Sequence, residues 1–194
     1  QARLLLRLSS SEVHRNSEWF SVLRFSDLLE LASHVTVARL LEREDFRRRI
    51  SGNQEVRLHE FLYPLAQAYD SIMVRADVEL GGTDQLWNML AGRELQQKLG
   101  QPPQDVITVP LLVGLDGKAK MSKSLGNAVG ITESPDAMVG KLMTVPDAVI
   151  PDYARLAADW PEEKLQALPR RLAAENPRDV KLEVVREIIA LYDG

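Results

Sequence analysis

The order of apolar and polar positions predicts helices that alternate with a few short strands. Residues 4–8 (LLLRL) read as a short strand, and residues 16–20 open a helical region. Over residues 26–49, apolar side chains recur at helical spacing behind a plausible N-cap at Ser26 or Asp27. We therefore expect a helix across residues 26–49.

In the middle of the chain, predicted helices and strands alternate. Residues 58–74 read as a helix, which Pro64 is expected to interrupt unless it lies in a first turn. Residues 76–80 read as a strand, and the helix after it stops at Gly100 behind a lysine in the last turn. The almost wholly apolar run 106–113 is typical of a parallel strand covered on both faces. This alternation predicts a parallel α/β sheet.

The remainder of the chain is helical in pattern. Residues 134–145 and everything beyond Pro151 carry helical spacing and no strand signal. We expect the charged segment from about Pro151 to begin a separate helical domain.

Composition narrows the possible classes of function. No apolar run approaches 18 residues, so we expect no membrane span. Cysteine is absent, which excludes disulfides and thiolate zinc sites and is compatible with a reducing cytosol. The three histidines are far apart, and we predict no metal site. The net charge of −4 leaves only local basic patches for contact with nucleic acid, and residues 43–49 (REDFRRR) read most simply as a solvated helix face.

The loop GGTDQ, residues 81–85, follows the first predicted strand of the middle region. Its glycines let the backbone approach a ligand, and Asp84 and Gln85 offer a carboxylate and an amide to a ribose or an amino acid. Taken alone, an ordinary turn with a helix cap is the simpler interpretation.

A second loop, GLDGKAKMSKSLGNAVG at residues 114–130, follows the apolar run 106–113. Between its glycines it holds Lys118, Lys120, Lys123, Ser122 and Ser124. Lysine is a compact charge suited to phosphate, so this loop is able to neutralise charge on a leaving pyrophosphate. The alternative is a solvated basic loop.

The segment KMSKS, residues 120–124, resembles the signature loop of class I aminoacyl-tRNA synthetases. The segments YPLAQAYD (63–70) and GGTDQ precede it at the spacing seen in tyrosyl-tRNA synthetases. LEREDF, PLLVGLDG and NPRDVKLEVVREI are similar to bacterial tyrosyl enzymes as well, so the resemblance covers almost the whole chain.

This resemblance implies an α/β fold made of the second half of a Rossmann-like parallel-sheet catalytic domain and the start of an α-helical domain. The catalytic part would occupy residues 1–150, with a dimerisation insertion at about 26–59, and the helical anticodon-side part residues 151–194. The family's His-Ile-Gly-His element and its C-terminal RNA-binding module have no counterpart here. The resemblance therefore implies a fragment that is inactive alone.

The family pattern also assigns roles around tyrosine. Tyr63 and Gln67 would hold its α-amino group, and Asp70 would accept a hydrogen bond from its phenol. Their spacing of four and three residues places them on one helix face. Without the resemblance, helix packing plus a solvated aspartate is the simpler interpretation.

The two loops are implied to bind the nucleotide. Gly82, Asp84 and Gln85 would contact the adenylate, with Asp84 on the ribose and Gln85 near the tyrosyl carbonyl. Lys120 and Lys123 would be catalytic by stabilising the pyrophosphate in the transition state. Met121, in the ATP-binding signature, is expected to pack beneath the loop.

The implied substrates are tyrosine, ATP accompanied by Mg²⁺, and tRNA(Tyr), in a cytoplasmic homodimer. Apolar positions at Val35, Val37, Leu40 and Leu41 exceed what one helix face needs for its own core, which favours a dimer. Two alternatives stay open: a tryptophanyl-tRNA synthetase, which shares the lysine loop, and a non-catalytic fragment that binds RNA or dimerises. The polar QAYD segment favours tyrosine, because a phenol needs a polar partner.

Overall fold

The computed structural model describes residues 2–193, and the side chains of all of these except Ala2, Arg3, Leu8 and Asp193. The chain divides into two compact units. The first unit is Glu12–Val109, and the second runs from Pro110 onward and includes the N-terminal residues up to Ser11. The boundary predicted between residues 150 and 151 separates a catalytic part from a helical part of a whole enzyme. The two units described here do not test that boundary, and it stays a prediction.

The described elements confirm a mixed α/β chain with a small parallel sheet and many helices. In chain order they are α1 (Ala2–Leu5), α2 (Ser17–Phe20), α3 (Phe25–Ser33), α4 (Val37–Leu40), α5 (Glu44–Ser51), α6 (Leu58–Val74), β1 (Val78–Gly82), α7 (Leu86–Lys98), β2 (Asp105–Val109), α8 (Pro135–Leu142), α9 (Ile150–Leu156), α10 (Glu162–Ala174) and α11 (Pro177–Asp193). Short 3₁₀ turns lie at Leu8–Ser10, Thr83–Gln85, Lys123–Leu125 and Asp147–Val149. Within this described range, no helix combines the length and apolar character needed to span a membrane.

The first unit is a β–α–β crossover packed against α6. Strands β1 and β2 pair in parallel, with Val78 opposite Asp105, and α7 connects them. Helices α6 and α7 approach closely at Gly92, where an added Cβ would lie 2.7 Å from Ser71 Oγ. The buried core of this unit consists of Leu31, Leu65, Ala68, Ile72, Ala91 and Leu95.

One face of the two-stranded sheet is apolar and open. Paired residues of neighbouring strands point to the same face. On this face Val78, Leu80, Ile107 and Val109 are 52%, 68%, 53% and 49% exposed, and Asp105, the partner of Val78, lies at its edge. The run 106–113 was expected to be covered on both faces, and within this chain that expectation is wrong. The regular strand is also shorter and ends at Val109, because Pro110 lacks the N–H that would continue the ladder.

The observed helices differ from two further expectations. Residues 4–8 contain the end of α1 and the start of a 3₁₀ turn rather than a strand. Leucine favours helix, and a strand needs a neighbour with which to pair. The single helix expected over residues 26–49 is instead α3, α4 and α5. Thr36 caps α4 by accepting a hydrogen bond from the Arg39 amide at 3.1 Å, which fixes a new helix start.

The start of α3 and the course of α6 also differ from expectation. Arg24 is the N-cap of α3, and Asp27 is the third helical residue, whose carboxylate accepts a hydrogen bond from the Arg24 amide at 3.0 Å. Pro64 lies inside α6, which continues to Val74. Pro64 is buried, and the packing of α6 in the core offsets the backbone hydrogen bond that proline cannot donate.

The second unit has a helical core that holds the start of the lysine loop. Its buried core consists of Leu142, Val145, Ile150, Tyr153, Ala154, Ala158, Trp160, Leu168, Val180, Val184, Val185 and Ile188. The Tyr153 hydroxyl donates a hydrogen bond to the Val113 carbonyl at 2.7 Å. Burial raises the pKa of Tyr153 to about 12, so this hydroxyl stays protonated as a donor.

Replacing Tyr153 by phenylalanine tests how strongly this contact holds the loop to the core. Tyr153→Phe keeps the ring and removes the hydroxyl that donates to the Val113 carbonyl, so we expect unfolding to become easier by about 1–3 kcal/mol. Urea unfolding followed by circular dichroism measures this. Tyr192→Phe is the control, since Tyr192 is only half-buried and no hydrogen bond of its hydroxyl is seen among the described residues. An equal loss in both variants would contradict the assigned contact.

Candidate substrate and phosphate sites

The loop GGTDQ lies where the carboxyl end of β1 meets the start of α7. Gly82 ends the strand, and the 3₁₀ turn Thr83–Gln85 leads directly into the helix. Gly81 lies against α7, where an added Cβ would lie 2.9 Å from the Met89 sulfur. Asp84 is exposed and Gln85 is half-buried. The carboxyl ends of parallel strands are the usual ligand-binding edge of such sheets.

A buried asparagine joins this loop to helix α6. Asn88 is 5% exposed, and its Nδ2 donates a hydrogen bond at 3.1 Å to Oε1 of both Gln67 and Gln85. Its own Oδ1 is buried without a partner in the described part of the chain. Asn88 therefore holds together two of the predicted site residues, one from α6 and one from the 3₁₀ turn that precedes α7.

Sequence reasoning did not single out Asn88. The available signal was its position three residues after Gln85, which places both side chains on one helical face. Its contact with Gln67 crosses 21 residues of sequence and has no periodic signature.

Asp70 lies at the half-buried edge of an open depression. Its Oδ1 accepts a hydrogen bond from Trp19 Nε1 at 2.8 Å. Burial raises the pKa of the Asp70 carboxyl above its ordinary value and the nearby Glu79 adds to this, while hydrogen bonds from Trp19 and Asn16 act in the opposite direction. The depression has a volume of ≈ 540 Å³ and is lined by His14, Arg15, Asn16, Ser17, Trp19, Asp70 and Val74. A carboxylate has about four acceptor positions, so Asp70 has capacity for a further donor.

Tyr63 lies one turn before Gln67 on α6 but faces different surroundings. It is 65% exposed and lines a groove of ≈ 500 Å³ together with Phe46, His59 and Leu62. The structure thus brings Gln67 and Gln85 together through Asn88, and it places Tyr63 and Asp70 at two separate depressions.

The lysine loop begins as a tight hairpin in the second unit. Val113 pairs antiparallel with Lys120, and the Met121 amide donates to the Leu112 carbonyl at 2.7 Å. Asp116 closes the turn, because its Oδ1 accepts hydrogen bonds from the amides of Lys118 and Ala119 at 2.8 and 2.9 Å.

The conformation of the turn depends on these contacts. Gly117 has φ of +66° and lies against Pro146, which leaves no room for a side chain. The Lys118 amide, and after it the Asn127 side chain, lower the pKa of Asp116. Asp116 therefore stays ionised to a lower pH than an ordinary aspartate, and its ionised carboxylate is the acceptor that closes the turn.

The signature itself follows the hairpin. Lys120 and Lys123 are exposed, while Met121 between them packs against the core of the second unit. The hydroxyls of Ser122 and Ser124 lie 2.8 Å apart. The backbone then makes a 3₁₀ turn at Lys123–Leu125 that ends at Gly126 with φ of +66°. Two exposed lysines thus lie close together on a folded loop, an arrangement suited to a polyanion.

The described residues show no metal cluster, and several arginines of the basic patch 43–49 make internal contacts. In residues 2–193, no group of three or more His, Cys, Asp or Glu side chains is arranged to hold a metal ion. Within the patch 43–49, Arg43 pairs with Asp45 and stacks on Phe46 at 4.5 Å, and Arg49 pairs with Glu60. These contacts neutralise part of the patch.

Comparison with known proteins identifies similar sequences along the whole chain. Residues 1–191 match the family model for class I tRNA synthetases (W and Y). A tyrosine–tRNA ligase of Thermotoga maritima is 47% identical over 196 residues, which cover 100% of this chain and 49% of that protein. A tyrosine–tRNA ligase of Bordetella avium is 50% identical over 193 residues, which cover 99% of this chain and 47% of that protein.

A similar fold is found in a solved structure. The tyrosyl-tRNA synthetase of Archaeoglobus fulgidus, complexed with L-tyrosine, superposes with a TM-score of 0.72 at 25% identity, covering 98% of this chain and 67% of that one. The chain spans about half the length of the curated relatives that it matches.

Proposed function

This chain belongs to the class I tRNA synthetases of the tryptophan and tyrosine type, and from this membership we propose that it is part of a longer tyrosine–tRNA ligase, called the parent enzyme below. The parent enzyme activates tyrosine with ATP and transfers it to tRNA(Tyr). The observation that carries the choice of tyrosine is Asp70, a half-buried carboxylate with capacity to accept a hydrogen bond from a phenol. Tryptophan has no phenol, and the relatives described above are named as tyrosine enzymes.

The amino acid is held by α6 and by the loop at the end of β1. We assign Gln67 to the α-amino group, Asp70 to the phenol, and Gln85 to the neighbourhood of the tyrosyl carbonyl. The shared hydrogen bonds of Gln67 and Gln85 to Asn88 support this assignment, because they hold two groups of the same ligand site in a fixed relation. The assignment of Tyr63 to the α-amino group rests on the family pattern alone, since Tyr63 lines a separate groove in this chain.

The nucleotide is bound by both loops. Gly82 and Asp84 contact the adenylate, with Asp84 on the ribose, and Lys120 and Lys123 stabilise the pyrophosphate. Met121 anchors the loop from below. Mg²⁺ enters with the phosphates of ATP as part of the substrate, and we assign no residue of this chain to it.

The reaction proceeds in two transfers without a covalent enzyme intermediate. The tyrosine carboxylate attacks the α-phosphorus of ATP, the bond to the β-phosphate oxygen breaks, and pyrophosphate leaves with its electron pair. A terminal ribose hydroxyl of tRNA then attacks the carbonyl of tyrosyl-adenylate and releases AMP. Positioning and charge stabilisation are the protein's contributions.

Exchange of labelled pyrophosphate into ATP tests the function of the parent enzyme. We expect exchange that depends on tyrosine and is not supported by tryptophan. Exchange with tryptophan would establish the related tryptophanyl activity instead, and no exchange with any of the twenty amino acids would show a non-catalytic protein.

The remainder of the parent enzyme is proposed to complete the catalytic domain. Residues 1–150 form its C-terminal part and residues 151–194 begin the helical anticodon-side domain. The open apolar sheet face of Val78, Leu80, Ile107 and Val109 supports this proposal, since a Rossmann-like sheet is covered on both faces. We expect this chain to be inactive alone, and we propose that the parent enzyme is cytoplasmic.

We also propose that the parent enzyme is a homodimer joined through residues 26–59. Val35 packs against the core of its own unit, but Val37 is 65% exposed and Leu58, at the start of α6, is 79% exposed. Phe25 and Leu29 add apolar surface to the same region. A two-fold interface would cover these side chains with the same surface of a second copy.

Sedimentation at micromolar concentration tests the dimer. We expect the parent enzyme to sediment as a dimer and Leu58→Asp to shift it toward monomer, because a charge in an apolar interface is costly. Leu191→Asp is the control, since Leu191 is 53% exposed and lies outside the proposed interface. A monomeric wild type, or equal dissociation by both variants, would refute this assembly.

A further inference from the structure

Asn127 lies beneath the lysine loop and connects three points of it. The side chain is 6% exposed. Its Nδ2 donates hydrogen bonds to Asp116 Oδ2 at 2.9 Å and to the Lys120 carbonyl at 3.1 Å, and its Oδ1 accepts from the Ser122 amide at 2.8 Å. One amide thus contacts the turn of the hairpin and the backbone on both sides of Met121.

The surrounding backbone is shaped to admit this amide. An added Cβ at Gly114 would overlap Nδ2 of Asn127. Gly126, with φ of +66°, turns the chain immediately before Asn127, and the Asn127 carbonyl accepts a hydrogen bond from the Leu115 amide at 2.9 Å. Only an amide of this length supplies two donors and an acceptor at these three points.

We propose that Asn127 is a positioning residue for Lys120 and Lys123, an inference that rests on the function proposed above. Lysine has a long flexible side chain, so the region that its ammonium group can reach depends on where the backbone places its Cα. Asn127 fixes the Lys120 carbonyl and the amide of Ser122, the residue directly before Lys123. The two charges are then in place before negative charge develops on the leaving pyrophosphate, and the loop does not need to reorganise during the reaction.

The first test compares rate with binding in the parent enzyme. We expect Asn127→Ala to lower the rate of tyrosine activation by about 10- to 100-fold, because small displacements of positioned groups are costly, while ATP affinity changes less. Single-turnover formation of tyrosyl-adenylate at varied ATP separates the two quantities. An unchanged rate in an active enzyme, or a loss of ATP affinity alone, would overturn the positioning role.

A charge exchange tests the specific hydrogen bond and stays informative if Asn127→Ala folds poorly. Asn127→Asp places an oxygen opposite the Asp116 carboxylate and the Lys120 carbonyl, so we expect a larger loss of rate than in Asn127→Ala. Adding Asp116→Asn restores a donor between positions 116 and 127, and we expect the double variant to exceed both single variants in rate. A double variant no faster than the slower single variant would contradict the proposal.

Hydrogen–deuterium exchange on this chain separates failure of this inference from failure of the proposed function. We expect Asn127→Ala to speed amide exchange in residues 118–126 and to leave α10 and α11 unchanged. A wild-type parent enzyme without pyrophosphate exchange would overturn both the function and the positioning role. An active wild type whose Asn127→Ala variant loosens the loop at full rate would overturn the positioning role alone.

Discussion

Lys123→Ala in the parent enzyme is expected to lower the rate of tyrosine activation far more than it weakens ATP binding. Lys123 is exposed at the start of the 3₁₀ turn Lys123–Leu125, where its charge is available to a polyanion. A charge that meets the leaving pyrophosphate mainly in the transition state raises the rate without equal gain in ground-state affinity. Loss of one such contact costs on the order of 2–4 kcal/mol, which corresponds to about 30- to 900-fold in rate.

Lys118→Ala provides a matched control for this prediction. Lys118 lies in the same loop and is exposed, and its backbone amide, which the substitution retains, makes the bond to Asp116. We expect Lys118→Ala to change the activation rate only slightly, as for a general surface charge. Rapid-quench measurement of the rate of tyrosyl-adenylate formation compares the two variants with the wild type. An unchanged rate in Lys123→Ala, or equal losses in both variants, would remove Lys123 from the catalytic assignment.

Asp70→Ala is expected to damage the activation of tyrosine more than that of phenylalanine. The two amino acids differ by one hydroxyl, and an apolar pocket would hold both rings. A site that hydrogen-bonds the hydroxyl rejects the analogue that lacks it, and tyrosyl-tRNA synthetases are themselves the standard example of this principle. A hydrogen bond to a charged group contributes about 1.5–3 kcal/mol, so we expect tyrosine to lose about 10- to 150-fold more activation efficiency than phenylalanine.

Two further variants separate the phenol contact from the internal hydrogen bond of Asp70. Asp70→Asn keeps an acceptor for Trp19 and for the phenol, and we expect a milder loss. Trp19→Phe removes the Trp19–Asp70 hydrogen bond and retains the carboxylate, so its effect on tyrosine should be smaller than that of Asp70→Ala. Activation efficiencies of both amino acids in all variants are compared. Equal losses for tyrosine and phenylalanine in Asp70→Ala would make Asp70 a structural residue.

The pH dependence of tyrosine activation follows from the same carboxylate. Burial raises the pKa of Asp70, so protonation begins at a higher pH than for an exposed aspartate. Because a protonated carboxyl is a weaker acceptor for the phenol, the preference for tyrosine over phenylalanine should fall as the pH drops through this raised pKa.

The strongest periodic patterns predicted their elements well. Helices α6 and α7 and the parallel pair β1 and β2 follow from apolar spacing and from glycine and lysine stop signals. The position of the loop at residues 81–85 also follows from sequence order, since this loop leaves the carboxyl end of β1.

The remaining features depend on interactions that spacing does not reveal. The helix expected over residues 26–49 is divided because Thr36 caps a new start, and the helical spacing continues across that break. Pro64 is accommodated by tertiary packing, which outweighs its local preference. The hydrogen bonds from Asn88 to Gln67 and from Asn127 to Asp116 join residues that periodicity does not connect, and a single asparagine in a sequence looks like any other turn or surface residue.

The central claim, that this chain belongs to an enzyme that esterifies tRNA with tyrosine, is tested most directly by identifying the ester. The parent enzyme is incubated with ATP, Mg²⁺, unfractionated tRNA and all twenty amino acids, and the amino acid released from the tRNA is identified by mass spectrometry. We predict tyrosine alone, and we predict that it disappears when ATP is omitted. Tryptophan on the tRNA, or tRNA that carries no amino acid after incubation with ATP, would contradict the claim.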